Sequence, residues 1–309
     1  MAARMIEANG VELCTEPFGD PADPPILLVM GIGGSMLWWD EAFCRLLAES
    51  GRFVIRYDHR DTGLSVSYEP GHPGYTGSDL VADAAGVLDA YEIPAAHLVG
   101  VSAGGALAQL LALRRPERVL SLALISTSPA VEGERELPPP TEAFTRFVGT
   151  AHMDQSDTAS VVEHLISYSR LLAGGRRPFD ETATRELVQR DMERARDFAA
   201  AQNHELLSEG ETPGSPLSSI DAPTLVIHGT ADPMFPLEHG EALAAEIPNA
   251  RLLVLENAGH GIDRADWETI AHAILEHTPT PVVAGRSSRH YVSGQPRRPA
   301  RGEQARCSQ

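Results

Sequence analysis

The chain has 309 residues, enough for one large domain or two smaller ones, and its composition of 42% hydrophobic and 22% charged residues is ordinary for a globular protein. The formal net charge of −18 argues against nucleic acid as a partner, because phosphate binding needs basic patches. All 25 basic residues are arginine, which excludes chemistry that depends on lysine, such as a P-loop or a Schiff base.

The N-terminal segment MIEANGVELCTEPFG has an Asn-Gly pair between two short runs, which predicts an antiparallel hairpin at the edge of a sheet. The first residues lack the apolar run of a signal peptide, and no stretch is apolar over the length of a membrane span. The cysteines, Cys14, Cys44 and Cys307, are too scattered for a disulfide framework or a zinc site. We therefore expect a cytoplasmic protein without a membrane partner.

Short apolar runs then alternate with amphipathic stretches along the chain. The runs are predicted strands, because they are too short for independent helices and too continuously apolar for a half-exposed sheet; they cover residues 26–31, 53–58, 97–102, 120–127, 224–229 and 251–256. The helical patterns cover about 40–50, 78–92, 104–115, 237–247 and 265–277. This alternation predicts an α/β fold with a mostly parallel central sheet covered on both faces.

Two intervals depart from the alternation. Residues 131–217 contain no strand-like run but several helical ones, among them TEAFTRFVGTAH, SVVEHLISYSRLL and ETATRELVQRDMERARDFAAAQ. We expect a helical cap over the carboxyl edge of the sheet, inserted between the two parts of a core, 1–130 and 218–279. Residues 280–309 hold six arginines and one glutamate among many Pro, Gly and Ser, which predicts a disordered Arg-rich tail.

A serine lies where a predicted strand meets a predicted helix. The stretch Gly100-Val101-Ser102-Ala103-Gly104 has the pattern G-x-S-x-G, which in this context is typical of a nucleophile elbow. Such a turn lifts the serine oxygen above the sheet, and Gly100 and Gly104 allow strand and helix to approach closely. A chance match in a Gly-rich turn is the alternative, and the strand–turn–helix context argues against it. We predict that Ser102 is a nucleophile.

A nucleophilic serine needs a base and an acid that orients the base. The order expected in this architecture is Ser, then Asp or Glu, then His. Asp232 follows the strand in TLVIHGTADPMFP, and His260 follows the last strand in RLLVLENAGHGIDRADW. Both therefore lie at the carboxyl edge where Ser102 is expected. Asp263, in the histidine's own loop, is the alternative acid.

The oxyanion of an ester-cleaving reaction also needs hydrogen-bond donors. The Gly-rich loop in LLVMGIGGSMLWW follows a strand, and we expect one donor at the backbone N–H of Ile32. The other is the N–H of Ala103 at the start of the helix. A phosphate cradle is the rival interpretation of the loop, but G-x-G-x-x-G is out of register because position 36 is Met.

The chain resembles the α/β-hydrolases with a helical cap, and among them the aclacinomycin methylesterase-like polyketide esterases. The resemblance covers about residues 5–278 and rests on FGDPADPPILLVMG, FVIRYDHRDTGLS, VGVSAGGALAQLLAL, APTLVIHGTADP and NAGHG, with RRPFDE in the insert. Many relatives have VMGG, or HG plus an aromatic residue, where this chain has VMGIGG, and many have Met in place of Ala103. These departures concern pocket shape and leave the triad unchanged.

Together these features predict a serine hydrolase that cleaves carboxylic esters through an acyl-enzyme, such as a methylesterase acting on a polyketide or another bulky apolar substrate. No cofactor or metal is implied, the expected partner is a small-molecule ester, and the oligomeric state is left open. A cofactor-free perhydrolase of the non-haem haloperoxidase type, a lactonase and a C–C bond hydrolase would use the same triad. A ligand-binding protein on a hydrolase scaffold is the alternative from another class.

Overall fold

The computed structural model describes residues 2–133, 135–151, 153–208, 210 and 214–278. Its described residues form one eight-stranded sheet in the order β1-β2-β4-β3-β5-β6-β7-β8. The strands are β1 (Arg4–Ala8), β2 (Val11–Phe18), β3 (Pro25–Val29), β4 (Phe53–Tyr57), β5 (Ala96–Val101), β6 (Val119–Ile125), β7 (Thr224–Gly229) and β8 (Arg251–Leu255). The β1–β2 and β2–β4 pairs are antiparallel and all the others parallel, which confirms the predicted α/β fold.

The N-terminal hairpin forms at the predicted Asn-Gly pair. Asn9 and Gly10 both have positive φ angles, 49° and 75°. Asn and Gly are the residues that adopt this conformation most readily, and two such residues in succession make the turn that matches the twist of a hairpin. The hairpin pairs with β4 and closes one edge of the sheet.

Helices cover both faces of the sheet and bury two apolar layers. The helices outside the interval 131–217 are α1 (Glu41–Glu49), α2 (Gly77–Ala90), α3 (Ala103–Arg114), α7 (Leu237–Glu246) and α8 (Trp267–His277). One layer joins α2, α3 and α7 to the sheet, and the other joins α1 and α8 to its opposite face. Strands buried on both faces explain why their sequences are continuously apolar.

In the described part of the interval 131–217, the chain forms helices and no strand. These are α4 (Glu142–Thr150), α5 (Thr158–Leu172), α6 (Glu181–Arg194) and a 3₁₀ segment, Phe198–Leu206. The helical run predicted from Glu181 onward is interrupted, because α6 ends at Arg194 and Ala195 turns to extended backbone. The Arg196 N–H donates to Gly63 O (2.8 Å), and Asp197 caps the 3₁₀ segment, so a contact with the core replaces the helical hydrogen bond.

Two further predictions concern the C-terminal tail and the membrane. The predicted tail, 280–309, lies outside the described residues. No helix within them combines the length and the apolar character that crossing a bilayer would require.

Candidate active site

Ser102 lies in a strained turn between β5 and α3. Its backbone has φ 54° and ψ −126°, a conformation that residues with a side chain seldom adopt. A Cβ on Gly104 would lie 2.1 Å from Val29 O, and one on Gly100 would lie 2.3 Å from Gly104 O. Glycine is therefore required at both positions, because strand and helix backbones touch there. The turn places the serine beyond the carboxyl end of β5.

Asp232 follows β7, and hydrogen bonds engage both oxygens of its carboxylate. Its Oδ1 accepts from the backbone N–H groups of Met234 and Phe235, both at 2.9 Å. Its Oδ2 accepts from His260 Nδ1 at 2.8 Å, and the side chain is fully buried. The two backbone donors set the orientation of the carboxylate, and the carboxylate sets the tautomer of the imidazole. His260 Nε2 is consequently the nitrogen with a free lone pair, as a general base requires.

Backbone contacts hold the His260 loop beside the end of β6. The His260 N–H donates to Leu172 O at the end of α5 (2.7 Å). The next N–H, that of Gly261, donates to Ser126 Oγ (3.0 Å). Ser126 directly follows Ile125, whose carbonyl accepts from the Ser102 N–H (2.9 Å). The loop that carries the imidazole is thus joined, through the end of β6, to the backbone of the serine.

The structure pairs two of the three predicted triad side chains. Asp232 and His260 are hydrogen-bonded, whereas the hydrogen bonds of the described residues include none between Ser102 Oγ and His260 Nε2. Such bonds are often long without substrate and shorten in the reacting complex. The alternative acid, Asp263, is exposed and accepts from the Ala265 N–H (2.7 Å) as the cap of a short 3₁₀ turn. Only Asp232 of the two contacts the imidazole.

The Gly-rich loop after β3 lies against the serine. A Cβ on Gly31 would be 3.1 Å from Ser102 Cβ, so the loop backbone approaches the nucleophile directly. No acceptor among the described residues engages the backbone N–H of Ile32 or of Ala103. The two predicted oxyanion donors are therefore available to a bound molecule. The Ile32 side chain is 56% exposed, so packing does not hold this residue.

Two buried histidines flank this loop, and the sequence patterns did not reveal them as a pair. His59 Nε2 donates to Met30 O (3.0 Å), and burial lowers the pKa of its imidazole to about 4. His204, in the 3₁₀ segment Phe198–Leu206, accepts the Gly33 N–H at its Nδ1 (2.9 Å). Burial also lowers the pKa of His204. A contact between residues 33 and 204 has no local sequence signal, because it depends on how the insert folds back.

The insert is attached firmly at its α6 end. Trp38 Nε1 donates to Asp191 Oδ2 (2.8 Å), and Arg194 forms a buried ion pair with Asp58 (2.8 Å). Burial raises the pKa of the Asp191 carboxyl. By contrast, the only side chain of α4 that is buried is Phe144. The end of α6 is therefore attached to the core by side chains, whereas α4 begins with a backbone contact, from the Thr141 N–H to Pro233 O (2.8 Å).

Aromatic rings form a wall between α4 and α5. The ring centroids of Phe144 and Phe147 lie 6.1 Å and 6.0 Å from that of Tyr168. Burial raises the pKa of Tyr168 to about 12, and the carboxylates of Glu205 and Asp232 add to this effect. The phenol therefore lies within electrostatic range of the Asp232 carboxylate.

Comparison with known proteins agrees with the fold. A family model described as the alpha/beta hydrolase fold matches residues 24–262. The chain is 37% identical over 303 residues to rhodomycin D methylesterase DauP of Streptomyces sp. (strain C5), and 36% identical over 302 residues to rhodomycin D methylesterase DnrP of Streptomyces peucetius. Each match spans 92% of this chain and 100% of the relative.

A solved structure shares the same fold. An esterase (EaEST) from Exiguobacterium antarcticum superposes with a TM-score of 0.73, covering 90% of this chain and 99% of the other. The identity is 20%, so this likeness concerns the fold alone.

Proposed function

The chain belongs to the alpha/beta hydrolase family and is a carboxylic ester hydrolase, and on that premise we propose that it demethylates a methyl ester on a polyketide-type or other bulky apolar substrate. The observation that carries the proposal is the Asp232–His260 hydrogen bond of 2.8 Å, at the sheet edge where Ser102 occupies its strained turn. This arrangement is the one that activates a serine hydroxyl.

In the proposed first half-reaction, the enzyme is acylated. Ser102 Oγ attacks the ester carbonyl carbon while His260 Nε2 takes the hydroxyl proton. The carbonyl oxygen becomes an oxyanion that accepts from the N–H groups of Ile32 and Ala103. When the tetrahedral intermediate collapses, its bond to the alkoxy oxygen breaks. The protonated His260 gives its proton to that oxygen, and methanol leaves.

The second half-reaction restores the serine. Water replaces the alcohol, and His260 takes a proton from it as the oxygen attacks the acyl carbon. The bond between Ser102 Oγ and the acyl carbon then breaks, the proton returns to Ser102, and the carboxylic acid is released. Throughout, Asp232 stabilises the imidazolium without itself gaining a proton.

Two observations support a large apolar acyl group. The relatives over the whole chain are named rhodomycin D methylesterases, and the aromatic wall of Phe144, Phe147 and Tyr168 includes a phenol whose pKa the Asp232 carboxylate helps to raise. Stacking on such rings suits a flat, extended substrate. A cytoplasmic location is part of the proposal and rests on the scattered cysteines of the sequence.

The test combines a covalent probe with product analysis. We expect a fluorophosphonate to label the wild type and Ser50→Ala, a control serine at the end of α1, but not Ser102→Ala. Methanol released from rhodomycin D is measured in parallel and should vanish in Ser102→Ala. Equal labelling of all three proteins would refute Ser102 as the nucleophile.

Further substrates separate the alternatives. Preferential halogenation of a dye with peroxide and acetate would instead indicate a perhydrolase. Tight binding of rhodomycin D without hydrolysis, together with no turnover of p-nitrophenyl acetate, would indicate a binding protein.

A further inference from the structure

The oxyanion loop, defined here as Met30–Gly33, is held at both ends by imidazoles. At its start, Met30 O accepts from His59 Nε2 (3.0 Å). At its end, the Gly33 N–H donates to His204 Nδ1 (2.9 Å). Only Gly31 and Ile32 lie between the two attachments. The imidazole rings are 6.0 Å apart and meet edge to face, so they form one buried unit under the loop.

The hydrogen bonds of His204 define its protonation state. An N–H can only donate, so Nδ1 must accept the Gly33 N–H with its lone pair. A carbonyl can only accept, so Nε2 must carry the proton that it donates to Arg60 O (2.8 Å). Both nitrogens are used, and the side chain is 4% exposed. His204 is therefore a neutral imidazole of fixed tautomer that links the insert to the loop.

Little else sets the conformation of this end of the loop. Gly33 has φ 71°, and a Cβ built on it would meet nothing within 4 Å. The neighbouring Ile32 side chain is 56% exposed. The Ile32 side chain is not held by packing and Gly33 has none, so the hydrogen bonds on either side of Ile32 set the direction of its N–H.

We propose that His204 is a positioning residue for the oxyanion hole: by accepting the Gly33 N–H, it keeps the Ile32 N–H directed at the developing oxyanion beside Ser102. The proposal rests on the proposed function and extends it, because it makes the insert part of transition-state stabilisation. His59 supports the other end of the same loop.

A purely structural role would have a different kinetic signature. Donors to an oxyanion act in the transition state and not in substrate binding, so their misalignment lowers kcat and leaves KM nearly unchanged. A loosened insert would instead disturb substrate binding and raise KM. Losing one oxyanion donor costs about 10²–10³ in kcat, so a misdirected donor should cost about 10–100-fold.

The experiment uses two variants of His204 and one matched control. His204→Phe keeps a ring and removes both hydrogen bonds, whereas His204→Asn retains an oxygen that can accept the Gly33 N–H. Asn203→Leu is the control, because Asn203 ties the same 3₁₀ segment to the core through Asp61 Oδ2 (3.0 Å) and the Gly71 N–H (2.7 Å) without touching the loop.

With p-nitrophenyl acetate, the kcat of His204→Phe should fall about 10–100-fold while its KM stays within about two-fold of wild type. The kcat of His204→Asn should be about ten-fold higher than that of His204→Phe. The kcat of Asn203→Leu should stay within about three-fold of wild type. A trifluoromethyl ketone forms an oxyanion with the serine, so its Ki for each variant should rise in proportion to that variant's loss in kcat. A kcat of His204→Phe within three-fold of wild type would overturn the proposal. Equal losses in His204→Phe and Asn203→Leu, without recovery in His204→Asn, would also overturn it.

A substrate-free measurement separates this proposal from the proposed function. Amide hydrogen exchange of the peptide containing Gly33 should speed up in His204→Phe and stay slow in Asn203→Leu. Unchanged exchange in His204→Phe would refute the loop contact even in an active enzyme. An inactive wild type with the expected exchange pattern would refute the esterase and leave the contact established.

Discussion

Replacing Asp232 with asparagine should lower kcat by at least about 10³-fold, because the structure determines which way the new amide faces. The carboxylate Oδ1 accepts from the N–H groups of Met234 and Phe235, so the amide oxygen must take that place. The NH₂ then faces His260 and donates to its Nδ1, which forces the imidazole proton onto Nε2. In that tautomer His260 cannot accept a proton from Ser102.

The magnitude follows from the cost of the opposite orientation. A reversed amide would leave two buried N–H donors against an NH₂, at about 1–3 kcal/mol for each unsatisfied donor. At about 4 kcal/mol in total, about one molecule in 10³ has the productive tautomer. The charge that stabilises the imidazolium is lost as well, and losses near 10⁴ are known for the equivalent change in a serine protease.

The assay is kcat on p-nitrophenyl acetate, with thermal unfolding as a check that the variant folds. Asp263→Asn is the matched control, since an amide can cap the 3₁₀ turn as well as the carboxylate does, and its kcat should stay within about two-fold. A kcat of Asp232→Asn within ten-fold of wild type, together with a large loss of kcat in Asp263→Asn, would refute Asp232 as the orienting acid.

Three further predictions concern stability. Gly104→Ala should destabilise by at least about 3 kcal/mol in urea unfolding, because its Cβ would lie 2.1 Å from Val29 O; a loss below 1 kcal/mol would contradict the strand–helix contact. Gly149→Ala, on α4 with nothing within 4 Å of its Cβ, should instead stabilise by about 0.5–1 kcal/mol, and destabilisation would indicate an unrecognised contact. Burial lowers the pKa of His97 to about 4, whereas in the unfolded chain it is near 6.5, so the unfolded state alone gains this proton as the pH falls towards 4. His97→Gln removes the imidazole, so the free energy of unfolding that is lost between pH 7 and pH 5 should be smaller by about 2 kcal/mol in this variant, as measured by urea unfolding at both pH values. A loss equal to that of the wild type would argue against a neutral buried His97.

The sheet and the order of the polar residues were predictable because both follow from local patterns. Apolar runs of strand length alternate with helical periodicity, and the Asn-Gly pair selects a hairpin turn. The carboxyl ends of parallel strands lie at one edge, so Ser102, Asp232 and His260, each just past a strand, were expected there. The structure shows the Asp232–His260 contact directly, while the catalytic roles stay predictions.

The supporting contacts of the site were not predictable, since they join segments far apart in the chain. His204 is 171 residues from Gly33, and Asp191 is 153 residues from Trp38. Neither pair has a spacing that periodicity can detect. The end of α6 was missed for the same reason: its residues favour a continuous helix, and the Arg196 N–H bond to Gly63 O interrupts it together with the Asp197 cap.

The unequal attachment of the insert has a consequence for how such enzymes diversify. Helix α4 presents most of its surface to solvent, with Val148 60% exposed, and contributes rings to the aromatic wall, whereas α6 is bound to the core through the Arg194–Asp58 ion pair and the Trp38–Asp191 hydrogen bond. Mutations on α4 can therefore change which compounds are accepted while the geometry of bond cleavage is inherited unaltered. A library that randomises the exposed positions of α4 should yield new preferences among acyl groups at little cost in folding.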